Sequence, residues 1–90
     1  MHESDEQFLA RFGEEIEPAV RGMGTVTALR IEQDVNGGQV RIVIALDGRL
    51  GPIELVLAGD SLLDAAAGWP ARIGEARLAL AFREIVAGPA

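Results

Sequence analysis

The chain has 90 residues, 49% of them apolar, with 14 acidic and 8 basic side chains, a formal net charge of −6 and no cysteine. That length suits one domain over residues 1–90, and the missing thiols exclude disulfides and thiolate metal sites. The acidic balance argues against a uniformly basic nucleic-acid surface, and no stretch approaches the roughly 20 apolar residues of a membrane span.

The N-terminus, Met1-His2-Glu3-Ser4-Asp5-Glu6, is acidic, and no apolar run follows it that would serve as a signal-peptide core. A soluble, cytoplasmic protein is expected. A chain this small hides only about 60–65% of its unfolded surface. The high apolar share therefore predicts a subunit interface, first of all a homodimer.

The first element is a helix. Ser4 or Asp5 can cap it, and the acids that follow suit the positive end of the helix dipole. Phe8, Leu9, Phe12, Ile16, Ala19, Val20 and Met23 recur at helical spacing as one apolar stripe. Pro18 removes an amide and should kink or interrupt the helix, and Gly22 and Gly24 end it. Thr25 to Asp34 then reads as a strand with Leu29 and Ile31 on one face and Arg30 and Glu32 on the other. Asn36-Gly37-Gly38 is a tight-turn signal. Gln39 to Leu46 is the return strand, with Val40, Ile42, Ile44 and Leu46 on one face and Arg41, Val43 and Ala45 on the other. Asp47-Gly48 opens a second turn. Pro52 to Leu57 is a third strand, with Ile53, Leu55 and Leu57 facing inward.

Gly59 to Asp64 reads as a turn into a short helix that ends near Gly68. Pro70 suits the first turn of a new helix. From Ala71 to Ala87 two readings compete. The segment is rich in Ala, Arg, Leu and Glu, good helix formers, and Leu78, Phe82 and Ile85 share a helical face. Leu78, Leu80 and Phe82 also alternate as a strand would. The helix is the leading reading. The fold expected is therefore α+β in the order α-β-β-β-α, a three-stranded antiparallel sheet with helices on one face. The alternative, with residues 75–86 as a fourth strand, is α-β-β-β-α-β.

Catalysis needs activated groups, and few are present. The chain has no Cys, Lys or Tyr, and its one imidazole, His2, stands beside the terminus. A Ser-His-Asp arrangement is not supported, and neither a catalytic residue, a metal nor a cofactor is implied. Asp60 and Asp64 read as a helix cap and a solvated acid rather than a metal pair. Glu14, Glu15 and Glu17 read as a solvated helix face. Asn36-Gly37-Gly38 lacks the Lys and Ser/Thr of a phosphate loop.

The arginines are the chemically suggestive set, since guanidinium holds phosphate bidentately. Arg30, Arg41, Arg72, Arg77 and Arg83 are candidate nucleic-acid contacts; their plainer role is to pair with Glu32, Glu54, Glu75 and Glu84. The sheet face opposite the core would show Val43, Ala45, Val56 and Ala28 among charges, too apolar to face water. Val43, Ala45, Val56 and Trp69 are the candidate dimer interface.

The run Gly38-Gln39-Val40-Arg41-Ile42-Val43-Ile44-Ala45-Leu46-Asp47-Gly48-Arg49-Leu50-Gly51-Pro52-Ile53-Glu54-Leu55 resembles the core of the YbaB/EbfC family. That core is a Gly-rich turn, an alternating Val-x-Val strand, a Gly-containing turn and a second alternating strand. A segment like Asp60-Ser61-Leu62-Leu63-Asp64 follows, then a helix with an Ala-Phe pair, here Ala81-Phe82. The resemblance spans residues 25–87; the first helix departs from it in being short and in carrying Pro18. It implies a homodimer that binds DNA with little sequence preference, as nucleoid-associated proteins do. The expectation is thus a non-enzymatic dimeric DNA-binding protein, or alternatively an acidic protein-binding module such as a chaperone-like adaptor or a small inhibitor of a larger complex.

Overall fold

In a computed structural model, which describes residues 4–34, 36–49 and 51–87, the chain runs α1 (Asp5–Val20), β1 (Thr25–Gln33), β2 (Val40–Gly48), β3 (Gly51–Gly59), α2 (Leu62–Ala67) and α3 (Trp69–Ala87). The strands form one antiparallel sheet in the order β1-β2-β3, so β2 is central. The architecture is the expected α+β arrangement, with the short α2 as a separate helix before α3. The fourth-strand alternative is overturned, because residues 75–86 lie inside α3.

Local chemistry accounts for each boundary. Ser4 caps α1 in a reciprocal box: its hydroxyl accepts the Gln7 amide at 3.1 Å, and the Gln7 side chain accepts the Ser4 amide at 3.1 Å. The helix passes through Pro18 without interruption, since Pro18 stands only two residues before the end at Val20. Gly37 turns the β1–β2 connection with φ of 73°, the left-handed conformation that glycine adopts without steric cost. β1 carries a bulge between Val26 and Ala28. The Thr27 hydroxyl donates to the Ala45 carbonyl there at 3.2 Å, and the extra residue keeps Val26 and Leu29 on the same face. Ser61, rather than Asp60, caps α2 by accepting the Asp64 amide at 3.1 Å, and Asp64 in turn accepts the Asp60 amide at 3.0 Å.

The core lies between the sheet and the helices. Phe8, Phe12, Ile16 and Val20 of α1 pack with Ile42, Ile44 and Leu46 of β2, Leu55 and Leu57 of β3, Ala65 of α2 and Ile73 and Ala76 of α3. Phe8 and Phe12 stack with ring centroids 5.8 Å apart. Each large side chain removed from water here contributes about 1.5–3 kcal/mol before entropy is counted. All three helices cover the same sheet face, and the opposite face is open.

Candidate interaction surface

Alternation puts Arg30 and Glu32 of β1, Arg41, Val43 and Ala45 of β2, and Glu54 and Val56 of β3 on the open sheet face. The charges there form a chain across all three strands. Arg30 reaches Glu54 at 3.4 Å and Glu32 at 2.8 Å; Arg41 reaches Glu32 at 4.0 Å and Asp34 at 2.6 Å. The hydrogen bond that Arg30 donates to Glu32 holds its guanidinium above its ordinary pKa, and the one that Arg41 donates to Asp34 does the same there. Each such exposed pair contributes little to stability. Three carboxylates and two guanidiniums nevertheless leave this face without excess positive charge.

Val43 lies in register between Arg30 and Val56 and is only 2% exposed. Long arginine stems can cover apolar surface while their heads stay in water. The open face is therefore less apolar than alternation suggested. Val56 is 38% exposed and Ala45 is half-buried. Trp69 packs against the core cluster on the helical side. The structure thus brings Val43, Ala45 and Val56 together and leaves Trp69 on the other side of the sheet.

The five arginines divide in the same way. Arg72, Arg77 and Arg83 lie on α3 and, like Arg49, make no ion pair among the described residues. Arg72 and Arg83 line the groove between α3 and β3, beside Ile53, Glu54 and Leu55. Arg77 lines the other flank with Arg49, Met23 and Glu84.

α3 carries a further feature that sequence reading placed on a shared face but did not orient. Its core-facing stripe is Ile73, Ala76 and Leu80. At 3.6 residues per turn, Leu78, Phe82 and Ile85 lie about 180° around the helix from it. They are 74%, 68% and 77% exposed, and Val86 beside them is 70% exposed. Every side chain from Ala81 to Val86 is exposed, so the described residues cover the end of α3 only thinly. α3 is thus apolar on both sides but buried on one.

Among the described residues, no buried side chain is polar or charged, no three or more His, Cys, Asp or Glu side chains group at metal-ligand distance, and no helix is long and apolar enough to cross a membrane. His2 lies outside the described residues. No family model, curated protein or solved structure matches the chain at a significant level.

Proposed function

We propose that this chain is a non-catalytic protein-binding module whose working surface is the outer face of α3. The observation that supports this reading is the stripe Leu78-Phe82-Ile85-Val86, which stays exposed on a fold able to bury fifteen other apolar side chains. An apolar patch of this kind on a well-packed domain marks an interaction site. A helix with 4-and-3 spacing of its apolar residues engages another helix or a groove. Arg77 on one flank and Arg72 and Arg83 on the other would form the polar rim around it. Capture from nuclease-treated native lysate tests the reading, with the wild-type chain and Phe82→Glu as parallel baits. Proteins retained by the wild type and lost from Phe82→Glu are expected. Identical capture by both baits contradicts it.

A DNA-binding function is the second reading. It rests on the YbaB/EbfC resemblance and on Arg49, Arg72, Arg77 and Arg83, whose guanidiniums are not held by carboxylates among the described residues. Arg30 and Arg41 contribute less to it, because a phosphate would have to displace Glu32, Glu54 and Asp34 first. Binding through these four guanidiniums would fall with salt at a log–log slope of about −3.6, roughly −0.9 for each phosphate contacted. A low-salt gel shift that is weakened by Arg72→Ala with Arg83→Ala supports it; no shift at tens of micromolar protein excludes it.

A further inference from the structure

We infer that the occupant of the outer face of α3 is the same face of a second copy of this chain, related by a two-fold axis; this rests on the protein-binding reading above. Three observations favour a second copy. The first is area. At 68–77% exposure, Leu78, Phe82, Ile85 and Val86 present on the order of 500 Å² of apolar surface, near the upper end for a lone domain. Two such faces, fully covered, hide about 1,000 Å², the lower bound for a specific interface.

The second is relief. The 4-and-3 spacing of Leu78, Phe82 and Ile85 is the seam of a helix pair, in which each side chain enters a gap on the facing helix. Ala71 continues that seam beyond Glu75, and Gly74, Ala79 and Ala81 flank it. These low shoulders let a second helix approach closely while Phe82 supplies the central anchor.

The third is charge. A net charge of −6 would oppose self-association if the acids met across the seam. Most do not. Five acids, Asp5, Glu6, Glu14, Glu15 and Glu17, belong to α1. Phe8, Phe12, Ile16 and Val20 of α1 belong to the core cluster that the opposite side of α3 faces. From Ala71 to Val86 the outer face carries one charge, Glu75, which stands in line with the seam one turn before Leu78. Phe82, Ile85 and Val86, exposed in the single chain, become covered in the pair.

Sedimentation velocity and light scattering across about 1–100 µM, a range that brackets a modest interface, test the inference on the full chain. The wild-type mass should rise to twice the 9.5 kDa of one chain. Phe82→Glu should raise the dimer dissociation constant at least about thirtyfold, as loss of a central anchor does, with an unchanged far-ultraviolet circular dichroism spectrum because Phe82 is outside the core. Val56→Glu, on the open sheet face, should leave the dimer intact. A wild-type chain that remains a single copy overturns the inference. If Phe82→Glu then still loses captured proteins from lysate, the face serves a different protein; if capture is unchanged as well, the protein-binding reading falls with it. Loss of the dimer in Val56→Glu but not in Phe82→Glu, or a mass that climbs past two copies, also overturns the inference.

Discussion

Gly59 ends β3 where α2 folds back over it. A Cβ built there would stand 2.5 Å from the Ala65 amide nitrogen and 2.9 Å from the Asp64 carbonyl carbon. Both are backbone atoms, which cannot swing aside as a side chain does. Gly59→Ala should therefore destabilise the fold by about 1–3 kcal/mol, the usual cost of overpacking, seen as a lower urea midpoint at unchanged slope. Electrostatics at single residues is milder. The hydrogen bond from Arg21 holds the Glu17 carboxyl below its ordinary pKa. A lowered folded-state pKa means support that is present above the ordinary glutamate range and lost as pH falls through the lowered value. Arg21→Gln should shift the Glu17 titration upward, followed by its side-chain carbon resonance in NMR; an unmoved midpoint would remove Arg21 as the cause.

At the scale of elements, most of the fold was legible because one face of each strand is buried. Period-two alternation in Val40-Ile42-Ile44-Leu46 and in Ile53-Leu55-Leu57 has a single solution when helices cover one side of a sheet. Ser4 and Gly37 marked their boundaries for equally local reasons. α3 resisted because it carries two apolar faces. Leu78, Leu80 and Phe82 alternate like a strand only because Leu80 belongs to the buried stripe and the other two to the exposed one. No rule of spacing says which stripe meets the core; tertiary packing decides that Ile73, Ala76 and Leu80 do. The assignment predicts an asymmetry. Ile73→Ala should cost about 2–5 kcal/mol, whereas Ile85→Ala should change the stability of dilute protein by no more than about 0.5 kcal/mol. Denaturant titrations of the two variants check it, and equal losses would contradict the face assignment.

Over the whole molecule, charge and apolar surface are separated. Acids concentrate on α1, an ion-pair chain covers the open sheet face, and the exposed apolar stripe runs along the outside of α3. The sequence suggested the sheet face as the sticky one, since Val43, Ala45 and Val56 lie among charges there. It could not show that Arg30 and Arg41 would link Glu54, Glu32 and Asp34 into one chain around Val43. That depends on cross-strand register, which brings residues 24 positions apart, Arg30 and Glu54, within reach. The surplus of apolar residues was real, but it emerges on α3. The exposed segment Ala81–Val86 offers the most direct measurement, because a helix end with little tertiary packing frays and exchanges its amides readily. Amide hydrogen exchange of these six residues, followed against protein concentration, should show protection that rises with concentration in the wild type and stays low in Phe82→Glu. Exchange that is equally fast at every concentration in both chains would contradict a binding role for this face between two copies.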